Sequence, residues 1–109
     1  MIFDIKDGNS IEDTYVPTSA VLYQNYPNPF NPETTISFSI DESGPVKLVV
    51  FDRMGRSIKT LSEGFSDKGV HKIKWDGKNN FGESVSSGVY YYMLKTRNFT
   101  DVKKALLIK

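Results

Sequence analysis

From Thr34 to Ile40 the chain alternates strictly, with Ile36, Phe38 and Ile40 on one side and Ser37 and Ser39 on the other. A period of two marks a strand with one face against a core and one toward water. The 3.6-residue period of an amphipathic helix appears nowhere. Val70 to Trp75 repeats the strand pattern, setting His71, Ile73 and Trp75 against Lys72 and Lys74. Val46 to Phe51 is apolar on both faces apart from Lys47, which predicts a central strand. Leu22-Tyr23-Gln24, Arg56 to Leu61, Val89 to Thr96 and Phe99 to Ile108 supply four further strands. Turns fall at Ser43-Gly44-Pro45, Asp52-Arg53-Met54-Gly55, Gly64 to Gly69, Asp76 to Gly82 and Asn98. About seven short strands at this spacing predict an all-β fold, an antiparallel immunoglobulin-like β-sandwich.

Ahead of the first long strand, Pro27, Pro29 and Pro32 lie within six residues. Each lacks a backbone N–H and fixes φ near −65°, so the stretch is neither helix nor central strand. It reads as a stiff edge that discourages edge-to-edge pairing, with Tyr26 and Phe30 placed to cap the core. Residues 1–19 are polar and irregular and read as a linker or upstream tail, which leaves 20–109 as the folded domain. Ile2, Phe3 and Ile5 allow another reading, a stray strand docked on that domain.

A chain of 109 residues supports one core. Seven Phe, six Tyr and one Trp supply large apolar area for it, at about 25 cal/mol per Å² buried. Fourteen basic and 13 acidic residues give a net charge of +1 with no long run of one sign. A phosphate-binding patch for nucleic acid is therefore not expected. Nothing approaches the ~20 apolar residues of a membrane span, so no membrane insertion is expected. Met1-Ile-Phe-Asp lacks the basic and long apolar stretches of a signal peptide.

With no cysteine, thiolate chemistry and disulfides are excluded. His71 is the single histidine, and its inward phase beside Ile73 suits a strand residue better than a general base. Asp76-Gly77 with Asn79, Asn80 and Gly82 departs from the spacing of a calcium loop and reads as a turn. The acidic residues fall almost entirely in turns. No enzyme activity, cofactor or metal is expected.

Four segments in series carry a resemblance. They are Leu22 to Pro32 leading into Thr34-Thr35-Ile36, Val50-Phe51-Asp52-Arg53-Met54-Gly55-Arg56, Trp75-Asp76-Gly77 with Ser87-Gly88-Val89-Tyr90, and Lys103 to Lys109. In this order the chain resembles the type A C-terminal sorting domain of the bacterial type IX secretion system. That family is related in fold to the immunoglobulin-like domain of the flagellar hook-capping protein.

The resemblance implies a non-catalytic module that directs a covalently attached upstream cargo. The cargo would be exported to the periplasm, then reach the cell surface or medium through the outer-membrane type IX translocon and an associated sortase. It further implies that Gly88, Tyr90, Lys104, Leu106, Leu107, Ile108 and Lys109 are the recognition residues. The terminal strand would bind through side chains and main-chain pairing, and the domain is expected to be a monomer. Lys103, Lys104 and Lys109 equally suit simple edge protection. Two alternatives remain: a structural assembly module like the hook-cap domain, and a carbohydrate-binding module stacking sugars on Tyr91, Trp75 or Phe81.

Overall fold

The computed structural model describes residues 20–109, and the linker and docking-strand readings of residues 1–19 fall outside them. The described residues form seven strands and no helix. They are β1 (Ala20–Leu22), β2 (Thr34–Ile40), β3 (Gly44–Phe51), β4 (Ser57–Ser66), β5 (Gly69–Trp75), β6 (Gly88–Lys95) and β7 (Thr100–Leu107). Two antiparallel sheets result, a three-stranded one in the order β1-β2-β5 and a four-stranded one in the order β4-β3-β6-β7. The all-β, immunoglobulin-like expectation holds.

Alternation decides which residues meet between the sheets. Ile36, Phe38 and Ile40 of β2 are buried, as read from their period, and Thr34 joins them at the start of the same row. They face Val46, Leu48 and Val50 of β3, Tyr90, Tyr92 and Leu94 of β6, and Ala105 and Leu107 of β7. Trp75 closes one end of this core. Its ring lies 5.4 Å from Phe30 and 5.4 Å edge-on from Tyr90, and its indole N–H donates to the Lys78 carbonyl at 2.9 Å. Buried Trp thus gains dispersion on both sides without stranding its polar atom.

Several element boundaries differ from those predicted. β4 runs on to Ser66, because β3 pairs with it as far as Gly44, so the loop between Gly64 and Gly69 shrinks to Asp67-Lys68. Gly64 sits inside that strand at φ +129°, a conformation open to a residue without Cβ. Gly44 and Pro45 likewise belong to β3 rather than to a turn. Tyr26 is 81% exposed and caps nothing, whereas Phe30, 1% exposed, does. The peptide bonds before Pro27, Pro29 and Pro32 are cis.

Candidate functional site: the C-terminal strand and its strap

β7 is the outermost strand of its sheet, paired on one side to β6 from Gly88–Leu107 to Lys95–Thr100. An outermost strand normally offers a row of free backbone groups. Here the proline-rich segment lies against its last turn of residues as a strap. Phe30 N–H donates to the Leu106 carbonyl at 2.9 Å, and Ile108 N–H donates to the Phe30 carbonyl at 3.0 Å. The Asn28 side-chain oxygen accepts from Leu106 N–H at 3.0 Å, and the Gln24 amide donates to the Lys104 carbonyl at 2.7 Å. Farther up, the Asp101 carboxylate accepts from Val102 N–H at 2.9 Å.

The outward main chain from Val102 to Ile108 is therefore largely occupied within the molecule. Main-chain pairing of a partner along this strand, expected from the sequence, would compete with those bonds. A partner strand would first have to displace the strap.

The strap is anchored in turn. The Tyr92 hydroxyl accepts from Asn25 N–H at 2.7 Å and donates to the Tyr23 carbonyl at 2.9 Å. Burial pushes this hydroxyl up to about 12, since desolvation disfavours the phenolate. The Asn25 amide donates to Thr34 Oγ1 at 2.9 Å, and that hydroxyl donates to the Pro27 carbonyl at 2.8 Å. Gly77 lets the next loop approach: at φ +74°, a Cβ there would lie 3.1 Å from the Pro32 carbonyl oxygen and 3.7 Å from Leu107. Sequence reasoning missed the Asn25–Thr34–Tyr92 cluster altogether.

The seven expected recognition residues divide into two groups. Leu107 is fully buried and Tyr90 nearly so, its hydroxyl donating to the Ser86 carbonyl at 2.6 Å. Neither side chain is offered to a partner by the folded domain. Lys104, Leu106, Ile108 and Lys109 are exposed, Leu106 at 37% and Ile108 at 49%. Gly88 opens β6 at φ +151° and lines a groove of about 500 Å³ between the Asp52–Arg56 turn and the Ser84–Tyr90 segment.

That turn is built by Asp52, whose carboxylate accepts from Met54 N–H, Arg56 N–H and Arg56 Nε at 2.9, 3.0 and 2.7 Å. These bonds, the Arg56 backbone first, hold the Asp52 carboxyl below its ordinary range.

Other side chains singled out in the sequence have structural employment. His71 stacks on Phe38 at 5.1 Å, and its Nε2 lies 2.7 Å from the Asp67 carbonyl. In the loop after β5, the Asn79 side-chain oxygen accepts from Phe81 N–H and Glu83 N–H, while Asn80 bonds both Ile58 and Thr60 of β4. Among the described residues no group of three or more His, Cys, Asp or Glu is placed to hold a metal. Trp75, only 1% exposed, is removed from any sugar-stacking surface, which leaves that alternative with Tyr91 and Phe81 on separate elements.

Residues 27–98 match the model of the FlgD Ig-like domain. The chain belongs to that family. It is 32% identical over 68 residues to the basal-body rod modification protein FlgD of Salmonella typhimurium, and equally to that of Salmonella typhi. The aligned region is 60% of this chain and 29% of either relative, so the chain spans less than a third of their length.

Among solved structures, dimeric latent PorU from Porphyromonas gingivalis superposes with a TM-score of 0.65 at 19% identity, over 90% of this chain and 10% of PorU. PorZ, a surface component of the type IX secretion system of the same organism, gives 0.57 at 22% identity, over 81% of this chain and 11% of PorZ. FlgD from Xanthomonas campestris gives 0.55 at 21% identity, over 84% of this chain and 63% of that one. At such identities these likenesses establish the fold. The family match favours the assembly-module alternative over the sorting reading.

Proposed function

We propose that this chain is a non-catalytic immunoglobulin-like module that positions the protein carrying it through protein–protein contact, in the manner of a structural assembly domain. The match of residues 27–98 to the FlgD Ig-like domain carries the reading. The geometry supports it, because the polar side chains of the strap and loops are committed to holding the sandwich together. Exposed Lys104 and Leu106 of β7, with Ile108 and Lys109 just beyond it, then form the contact row. No cofactor is required. Replacement of the matching immunoglobulin-like domain of Salmonella FlgD by residues 20–109 of this chain tests the idea. Recovery of hook assembly and motility supports it, and a stable, folded chimera that leaves cells non-motile contradicts it.

A second reading, sorting through the type IX secretion system, has its own support. The chain is similar over 90% of its length to part of PorU, and it is also similar to part of PorZ. Under this reading an upstream cargo is exported, passes through the periplasm, and is recognised by the outer-membrane translocon and its sortase. Truncation of Lys104–Lys109 is an unsuitable test, since it removes Ala105 and Leu107 from the core along with the strap's bonds. A fluorescent cargo carrying the intact chain, beside one carrying Lys104→Glu, Leu106→Ser and Ile108→Ser, is suitable in a type IX-competent host. Surface delivery of the first and periplasmic retention of the second supports sorting. Periplasmic retention of both contradicts it.

A further inference from the structure

Four strands end the two sheets, β1 and β5 in one and β4 and β7 in the other. Among the described residues, three of these edges are blunted. The strap covers β7. On β4, Asn80 N–H donates to the Ile58 carbonyl at 3.0 Å, and the Asn80 side-chain oxygen accepts from Thr60 N–H at 3.1 Å. Register shifts also break the pairing of β4 with β3 in two places. β1 is only three residues long. Short edges, bulges and covering segments are the ordinary means by which a sheet refuses a further strand.

β5 has none of these. It is seven residues long and pairs with β2 in unbroken register, from Thr34–Trp75 to Ile40–Gly69. The hydrogen bonds of β2 decide which backbone groups of β5 are free. Tyr23 N–H donates to the Ser37 carbonyl, and Tyr26 and Thr35 exchange both of their bonds, so Thr35 and Ser37 are turned away from β5. Successive residues of an antiparallel ladder bond to opposite sides. Ile36 and Phe38 therefore bond to Ile73 and His71, and the N–H and C=O groups of Val70, Lys72 and Lys74 point out of the sheet. Among the described residues no hydrogen bond reaches them.

The side chains along this edge specify what fits against it. Ile73 is half-buried against the core, as are Ile58 and Leu61 of β4, the strand joined to β5 through Asp67-Lys68. On the other face Val70, Lys72 and Lys74 are exposed. Lys74 lies 3.9 Å from Glu33, with both side chains largely in water, and Lys72 has no acidic partner among the described residues. Asp67 and Asp76 stand just beyond the two ends of the strand. A second copy of β5 is a poor fit. Antiparallel self-pairing would bring the lysines of one copy beside those of the other, and like charges placed opposite each other are destabilising.

We propose that the β5 edge receives an extended segment of a partner protein as a fourth strand of the three-stranded sheet. The segment alternates apolar and acidic side chains. Its main chain bonds to Val70, Lys72 and Lys74, its apolar side chains cover Ile73 at the open side of the sandwich, and its carboxylates lie beside the two lysines. This contact is on a different strand from the outer row of β7 and does not depend on it.

The probe is a blocked peptide of the length of β5, alternating valine with glutamate, titrated into the intact isotope-labelled chain. Saturable shifts and slowed solvent exchange are expected at the Val70, Lys72 and Lys74 amides, with those of Leu106 and Ile108 unchanged. Lys72→Pro removes an outward N–H and no bond to β2. It should weaken binding about tenfold, while the dispersed spectrum of the fold persists. The pair Lys72→Glu and Lys74→Glu should reject this peptide and accept one carrying lysine in place of glutamate. Unprotected amides on the native chain at millimolar peptide, or protection on β4 or β7 instead, overturn the proposal. Equal binding of the glutamate and lysine peptides overturns an acidic partner. Protection that rises with protein concentration in the absence of peptide reassigns the edge to a second copy and likewise overturns it.

Discussion

The two faces of β7 differ in kind although they share one backbone. Ala105 and Leu107 point inward and are 1% and 0% exposed. Val102, Lys104 and Leu106 point outward onto a sheet face that nothing within residues 20–109 covers. Successive residues therefore answer to different constraints: the inner row to packing of the sandwich, the outer row to what the domain touches. A strand that looks like a single address tag is a core strand on alternate positions. Deleting it tests folding and contact together.

Substitution of Leu107 by Ala separates the faces most strongly. Loss of a fully buried leucine should cost about 2–5 kcal/mol, read as a fall in the urea midpoint. Next in size is Tyr92→Phe, which strands Asn25 N–H and the Tyr23 carbonyl, at about 1–3 kcal/mol.

The same hydroxyl predicts a pH dependence. Its folded value of about 12 lies above the ordinary 10.0. The folded state holds that proton more tightly, so its stabilising contribution is complete below pH 10 and lost as pH rises toward 12. Alkaline unfolding of the native chain should steepen across that window, and Tyr92→Phe should flatten it.

Gly77→Ala should cost about 1–2 kcal/mol through its left-handed backbone, with added crowding against the Pro32 carbonyl. It should loosen the strap, seen as faster amide exchange at Leu106 and Ile108. Leu106→Ala belongs at the bottom of the scale, within about 0.5 kcal/mol. Equal losses at Leu106 and Leu107 would dissolve the distinction between the faces.

The sandwich was legible because its signal is local. The alternation of Ile36, Phe38 and Ile40 fixes one face of β2, and the double-sided apolar run at Val46–Phe51 marks β3 as central. What that run could not reveal is which element, if any, covers Val49 and Phe51. Both sides of a central strand look equally buried in one dimension. Glycine misled in the opposite direction: Gly64 reads as a loop residue, yet pairing with Val46 keeps it in β4.

The candidate site was legible as a set of residues but not as a geometry. The sequence suggests a free terminal strand, whereas Asn28 caps Leu106 from 78 residues away and Asn25 meets Tyr92 across 67. Partners at such separations leave no periodic trace. Lys104, Leu106 and Ile108 remain candidates for contact through their side chains, while Tyr90 and Leu107 are held inside.

Whether the outer row of β7 makes contact while the inner row makes the fold is decided by a localisation assay in the carrier protein. The triple variant Lys104→Glu, Leu106→Ser, Ile108→Ser would be followed beside Leu107→Ala, with thermal unfolding measured on both isolated chains. The triple variant is expected to keep a near-native unfolding midpoint and to mislocalise, whereas Leu107→Ala loses stability. A triple variant that stays folded and is positioned like the parent would contradict it.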